Sequence, residues 1–228
     1  IAASRTLEKQ RRDFFAAASH ELKTPITILK GQLESMMLGI GDYKNREKYL
    51  PQALATAERM EKLIRELLTI TKMESGIPDS SFTEAALAPI LRTCIAEAAP
   101  FAAEKGLAID GSQIDEKAAL RINEQLFQKA VSNILANAIR YSPPRQRVTV
   151  TLTENTLAVE NTGVTIAEEE LPLLFAPFYR AERSRSRQSG GSGLGLYIVK
   201  TILTLHGLAF RLENLGDSVR FSIDLNQN

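Results

Sequence analysis

The chain has 228 residues, 44% of them hydrophobic and 24% charged, enough for globular cores and large enough for two modest domains. Lys plus Arg total 28 against 27 Asp plus Glu, a balance that argues against a surface built to grip a nucleic-acid backbone, so no direct nucleic-acid contact is expected. No run approaches the roughly eighteen apolar residues a membrane-spanning helix needs, so the fragment itself is expected to make no membrane contact. Its single cysteine, Cys94, excludes an intramolecular disulfide and reads as a small buried residue of a helix. The chain starts at Ile1, already inside a helical pattern and without a signal peptide, and so reads as a piece of a longer protein.

From residue 4 to 37, apolar side chains including Phe14, Ala18, Leu22, Ile26, Leu29 and Leu33 return at helical spacing. Pro25 removes one backbone donor in this run and is expected to bend the axis just after His20. Gly39 to Asp42 breaks the pattern, and a second helix follows over 46–74, closed by Gly76 and Pro78. Two long helices joined by a short turn read as an antiparallel hairpin. Such a layer cannot bury both apolar stripes alone, so pairing with a second copy into a dimeric four-helix bundle is expected, with packing on the rest of the chain as the alternative.

Beyond residue 76 the pattern changes. Short strands are expected at 82–85, 107–110 and 118–120, with helices at 88–105 and 124–138, the second capped by Asn123. A hairpin follows over 147–152 and 157–160, then a short helix at 168–174, a polar loop, and a helix at 194–206. A last strand pair at 209–215 and 218–225 turns around Gly216 and Asp217. The reading is a mixed α/β layer, mainly antiparallel, with helices covering one face.

The segment GGSGLGLYIVK at 190–200 places glycines immediately before a helix. Such a backbone can bring N–H groups against phosphate, and the helix N-terminus adds unpaired donors. It lacks the terminal Lys-Ser/Thr of a phosphate loop and does not follow a first strand, so a dinucleotide fold fits poorly. Asn133 and Asn137 lie four apart on one face of an otherwise apolar helix, where a neutral amide oxygen suits Mg²⁺ carrying ATP phosphates. Hydrogen bonds to neighbouring loops are the alternative reading.

Taken together, these segments resemble a bacterial two-component sensor histidine kinase. HELKTP at 20–25 matches the phospho-acceptor box, 133–141 the asparagine box, FAPFYR at 175–180 the phenylalanine box, and GSGLG at 191–195 the second glycine box. They occur in the family's order across nearly the whole chain. The resemblance implies a dimerisation and histidine-phosphotransfer domain over 1–76, followed over 77–228 by a catalytic ATP-binding α/β sandwich. The fold class is thus multidomain, α and α+β.

The resemblance further implies ATP and Mg²⁺ as cofactors. Asn137 would hold the metal, with Asn133, Arg140 and Tyr141 along the phosphate and adenine sides, and Arg180, Gly191, Gly193, Leu194 and Gly195 binding nucleotide. Residues 179–190 would form a lid, with Phe175 and Phe178 as its anchors or simply as core. In the first glycine box the usual Asp-x-Gly-x-Gly reads Asn161, Gly163 and Thr165. Asn161 keeps an acceptor for the adenine amino group but loses charge assistance, and Thr165 makes the turn less permissive. ATP binding about 1 kcal/mol weaker is expected, and restoring Asp at 161 is expected to tighten it.

His20 is the implied phosphoryl acceptor. Glu21 would orient its ring or take its proton, and Thr24, one turn on, is the candidate for phosphatase activity toward the partner. A bond from Thr24 back to a helix carbonyl is the plainer reading. His206 reads as a helix cap. The implied reaction is autophosphorylation of His20 followed by transfer to an aspartate of a separate response regulator, in a homodimer forming the cytoplasmic portion of a cell-membrane protein. A degenerate ATP-binding sensor with mainly phosphatase activity, and a non-enzymatic dimerisation scaffold, are the competing readings.

Overall fold

The computed structural model describes residues 2–181 and 191–226, with the side chains of residues 2–7 and 10 left aside. The chain divides into two compact units, Ile1–Lys72 and Met73–Asn228.

In the first unit α1 (Ala2–Leu38) runs through Pro25 without interruption. Proline removes from this helix the donor that would have met the Glu21 carbonyl. The Ile40 N–H closes the end of α1 on the Ser35 carbonyl at 3.1 Å, a six-to-one bond that lets the chain turn. A 3₁₀ turn (Gly41–Lys44) leads to α2 (Arg46–Glu74), whose first turn is capped by Asn45 Oδ1 accepting from Lys48 N–H at 3.1 Å. Phe14, Ala18, Met36, Ala53, Leu63 and Ile70 are withdrawn from water. A second set of apolar residues on the same hairpin, Ile26, Leu33, Leu50, Leu54, Ile64 and Leu68, stays exposed. Among the described residues, no helix is long and apolar enough to cross a membrane.

The second unit is built on a five-stranded sheet, ordered β2-β4-β5-β7-β6. Its strands are β2 (Ala108–Ile114), β4 (Arg147–Leu152), β5 (Thr156–Thr162), β6 (Phe210–Leu215) and β7 (Ser218–Asp224). Only the β2–β4 pair is parallel. β1 (Thr83–Ala86) and β3 (Ala119–Ile122) stand apart as an antiparallel pair, which their short patterns do not reveal. β2 outruns its expected end because a register shift between Asp110 and Gln113 carries it past Gly111, with Asp110 Oδ1 accepting from Ser112 N–H at 3.0 Å. The expected helix at 168–174 is a 3₁₀ turn, Leu171–Phe175, with proline in its first positions.

Three helices supply the apolar layer: α3 (Leu87–Glu104), α4 (Glu124–Tyr141) and α5 (Gly195–Leu205). Strand alternation dictates which side chains meet them. Val148, Val150 and Leu152 of β4 and Val219, Phe221 and Ile223 of β7 are buried, beside Leu135, Ile198, Ile202 and Leu203 of the helices. Each such side chain contributes about 1.5–3 kcal/mol on burial. On β5 the same alternation runs Leu157, Val159, Asn161, so the third inward position is an amide, 6% exposed. Cys94 is a buried thiol of α3 whose pKa is raised by desolvation.

Both ends of α4 are held by side chains from elsewhere. At the start, Asn123 Oδ1 accepts from Leu126 N–H at 3.1 Å, and the Asn123 N–H donates to His206 Nε2 at 3.0 Å. That acceptor role leaves the proton on Nδ1, which donates to the Ile202 carbonyl at 2.7 Å. The His206 ring lies against Phe82 at 4.9 Å and Phe127 at 6.3 Å, and burial lowers its pKa. The neutral ring therefore stabilises the fold above the ordinary imidazole range, and that stability is lost as pH falls toward the depressed folded value. Replacing His206 with Gln is expected to cost about 2 kcal/mol at pH 7.5. It should also flatten the loss of thermal stability on acidification from about pH 6.5 downward, measured by calorimetry.

At the other end, α3 closes with Gly106 at φ +67°, and Leu107 N–H bonds the Ala102 carbonyl at 2.9 Å. This turn aims Lys105 at the C-terminus of α4. Its ammonium donates to the carbonyls of Ile139 at 3.0 Å and Ser142 at 2.9 Å, and also to that of Arg140. Desolvation, then the Arg140 guanidinium, pulls the lysine pKa below its usual range. A cation on the last carbonyls suits the helix dipole. It also explains why α4 runs to Tyr141 and not only to residue 138 as its pattern suggests.

Candidate active site

Residues expected to act together lie in both units. On α1, the His20 side chain is 79% exposed and that of Glu21 51% exposed. Glu21 Oε1 stands 3.9 Å from His20 Nδ1, outside hydrogen-bond reach. Nε2 is consequently the ring nitrogen not facing the carboxylate. Thr24 Oγ1 donates to the His20 carbonyl at 3.3 Å, the back-bond its plainer reading predicts. Ser19 and Thr27 make the same bond at 2.8 and 2.9 Å, so the Thr24 hydroxyl is the least tightly held of the three.

In the second unit the asparagine face of α4 meets the start of α5. Asn133 Nδ2 makes a long 3.5 Å contact with the Gly195 carbonyl. A Cβ built on Gly195 would lie 3.8 Å from Asn137 Nδ2, which places that amide beside the first residue of α5. Among the described residues no side chain caps the N-terminus of α5, and the start of a helix is where backbone N–H groups can meet an anion. Leu194, at the cap position, is fully buried, and any role in nucleotide binding belongs to its backbone. Any side chain at Gly191 would overlap the Arg140 guanidinium, so the cation lies directly on the glycine segment. Tyr141 is exposed, and Arg180 is half-buried.

Gly193 is held most tightly. Its φ is +75°, its carbonyl accepts from Phe178 N–H at 3.0 Å, and a Cβ there would lie 2.7 Å from the Phe178 backbone. Phe178 itself adopts φ +64°, left-handed for a bulky residue, a conformation that needs such support. Phe175, by contrast, belongs to an aromatic cluster with Phe210 at 5.3 Å and Phe221 at 6.3 Å. Of the expected lid, residues 182–190 lie outside the described residues.

The first glycine box sits at the end of β5. Gly163, φ +75°, donates to the Asp217 carbonyl at 2.8 Å, and a Cβ on it would meet the Gln146 side chain. Gln146 Oε1 accepts from the Thr162 hydroxyl at 2.8 Å. Thr165 does not have positive φ, so its Cβ brings no left-handed strain. Asn161 Nδ2 donates to Ser142 Oγ at 3.1 Å, and Ser142 Oγ donates to the Ala138 carbonyl at 2.7 Å. Ser142, Lys105 and Gln146 are thus parts of this site that the motifs do not mark.

The donor set can be tested for a metal. Among the described residues there is no cluster of His, Cys, Asp or Glu that could hold one. The Asn137 amide carries no hydrogen bond to a described residue and leaves a neutral oxygen beside α5. That suits a hard cation arriving with phosphates and water as its main ligands, and Mg²⁺ fits it.

Known proteins resemble this chain in both of its parts. Residues 10–76 match the His Kinase A (phospho-acceptor) domain, and residues 122–227 match the family of histidine kinase-, DNA gyrase B- and HSP90-like ATPases. The sensor protein VanSB of Enterococcus faecalis is 40% identical over 99% of this chain and 51% of its own length. The phosphate regulon sensor protein PhoR of Pseudomonas aeruginosa is 32% identical over 92% of this chain and 48% of its own length. The chain therefore spans about half the length of these curated relatives. Among solved structures, the Acinetobacter baumannii histidine kinase AdeS superposes with a TM-score of 0.71 at 22% identity, covering 92% of this chain and 98% of that one. Histidine kinase ThkA in complex with response regulator protein TrrA gives 0.73 at 20% identity, covering all of this chain and 67% of that one. With a phospho-acceptor domain and an ATPase domain in this order, and with its fold shared by solved kinases, the chain belongs to the sensor histidine kinases and is a catalytic region of that family.

Proposed function

We propose that the chain binds ATP with Mg²⁺ at α4 and α5, moves the γ-phosphoryl group to His20, and hands it to an aspartate of a separate response regulator. The observation that carries this reading is the convergence at the N-terminus of α5. The glycine segment, the Arg140 guanidinium and the two asparagines of α4 meet there, a donor-rich surface shaped for polyphosphate. Mg²⁺ held by the Asn137 oxygen would offset phosphate charge. Arg140 and the α5 N–H groups hold the phosphates, Leu194 through its backbone, and Tyr141 and Asn161 line the base.

In the transfer, His20 Nε2 attacks the γ-phosphorus as the bond to the bridging oxygen breaks and ADP leaves. Glu21, on the Nδ1 side, draws the surplus proton from the imidazolium. The phosphohistidine then yields its group to the regulator's carboxylate. The ThkA structure is of a kinase bound to a response regulator, which supports a partner of that kind. The loosely held Thr24 hydroxyl is the group we assign to placing water in a reverse, phosphatase reaction.

We place the phosphotransfer domain at 1–76 and the catalytic domain at 77–228, a reading supported by the phospho-acceptor match ending at residue 76. The exposed stripe of Ile26, Leu33, Leu50, Leu54, Ile64 and Leu68 supports a homodimer in which two hairpins form a four-helix bundle. The relatives named as sensor proteins are about twice the length of this chain, which supports a longer parent; we propose that the parent is anchored in the cell membrane with this region on the cytoplasmic side.

The hydrogen bonds at Asn161 change one expectation. Aspartate at 161 would bury a carboxylate against a hydroxyl whose proton already serves Ala138. Asn161→Asp is therefore expected to leave ATP affinity unchanged or weaker, and to lower stability by about 1–3 kcal/mol, as read by titration and thermal unfolding. Tighter binding would show that charge assistance outweighs this local fit.

The reaction is tested by supplying γ-labelled ATP and Mg²⁺ with a panel of purified receiver domains. Label is expected to move from the chain to one receiver's aspartate. Label retained on the chain in the presence of every receiver would leave the second step without support.

A further inference from the structure

We infer that Ser142 determines which purine Asn161 reads, by fixing the orientation of the Asn161 amide. The inference rests on the proposed role of Asn161 at the base. An asparagine amide presents a donor on one side and an acceptor on the other, and a half-turn about its last bond exchanges them. At the base that exchange decides between a 6-amino purine, which needs an acceptor, and a 6-oxo purine, which needs a donor. Aspartate offers no such ambiguity, so a chain with Asn161 requires something else to settle it.

The hydrogen bonds supply it. Ser142 Oγ has one proton, and the Ala138 carbonyl 2.7 Å away can only accept it. The Oγ lone pair facing Asn161 must then receive a proton, which only Nδ2 can give, at 3.1 Å. A flipped amide would set Oδ1 against that lone pair, or draw the hydroxyl proton away from Ala138. Both groups are buried, Asn161 6% and Ser142 2% exposed, so water does little to relieve the mismatch. Oδ1 is left on the side away from Ser142. It has no protein partner among the described residues and is not sealed from solvent, as an acceptor awaiting a ligand requires.

Ser142 is itself held in place. Its N–H donates to the Ala138 carbonyl at 3.1 Å, and its carbonyl accepts from Lys105 at 2.9 Å. With the backbone held at both ends and the hydroxyl bonded to Ala138 at 2.7 Å, the serine favours one arrangement, and the amide takes the orientation that suits it. Ser142 thus acts as a positioning residue, and the accepted class is 6-amino purine nucleotides.

The test measures affinities of the 228-residue chain for ATP and for inosine triphosphate, in which a 6-oxo group replaces the 6-amino group. Wild type is expected to prefer ATP. In Ser142→Ala the ratio should fall about fivefold or more, chiefly because inosine triphosphate binds better, while Ser142→Thr keeps the hydroxyl and the preference. Loss of packing alone would weaken both nucleotides together and leave the ratio standing. Should Ser142→Ala fail to fold, Ser142→Cys, close in size and a far weaker hydrogen-bonding group, gives the same reading. An unchanged ratio in the folded variant overturns the inference. Asn161→Ala separates the two layers: if it alters neither affinity nor ratio, Asn161 does not read the base and the inference falls with that role. If it collapses the ratio while Ser142→Ala does not, only the role of Ser142 is wrong.

Discussion

Replacing His20 with Gln is expected to abolish phosphorylation of the chain while leaving its fold and its ATP site intact. The imidazole is 79% exposed on the hairpin surface, and Glu21 stands 3.9 Å from it. A substitution at such a position typically changes stability by less than about 0.5 kcal/mol. Glutamine keeps the length and polarity of the side chain but provides no nitrogen nucleophile. Thermal unfolding should thus be unaltered, and the affinity for ATP should stay within about twofold of wild type. Label persisting on the variant at the wild-type level would place the acceptor elsewhere.

The second large effect is expected from Gly193→Ala. A methyl group there has no room, since its nearest neighbours are the Cα and carbonyl carbon of Phe178 at 2.7 Å. Backbone cannot rotate away as the end of a flexible side chain can. The φ of +75° adds left-handed strain for any residue with a Cβ. Strain and overlap together should cost about 2–4 kcal/mol, partly as lost stability and partly as displacement of the loop from its place before α5. ATP binding is expected to weaken by about tenfold or more in the folded fraction, measured by titration calorimetry. Gly191→Ala is the informative contrast, because the overlap there is with the end of the Arg140 side chain, which can swing aside. Equal losses in the two variants would mean that the Phe178 contact does not set the loop.

Much of the site is legible in the sequence because its parts depend on local chemistry. Glycines before a helix, two asparagines one turn apart and a histidine beside a carboxylate carry their meaning within a few residues. The helices are legible for a similar reason: α2 and the cap at Asn123 follow from apolar period and side-chain type alone. What escapes sequence reading depends on partners distant along the chain. Nothing in the composition around Lys105 shows that it will meet carbonyls 34 to 37 residues on, so the last turn of α4 is missed with it. The strand expected over 157–160 stops short of Asn161, and Ser142, 19 residues earlier, is not marked as its partner.

Tertiary neighbours decide what Asn161 can do. Judged by type, an amide in place of a carboxylate is simply a weaker base contact. Set beside a hydroxyl already committed to Ala138, the amide is the group that fits, and the carboxylate would be the misfit.

The central claim, that this chain phosphorylates itself on His20, is tested most directly by locating the phosphoryl group. The wild-type chain is incubated with γ-labelled ATP and Mg²⁺, and the modified residue is mapped by mass spectrometry under neutral conditions that preserve a phosphorus–nitrogen bond. The account predicts label on His20, absent when the metal is chelated. A chain that binds ATP measurably yet takes up no label, or carries it on another residue, would contradict it.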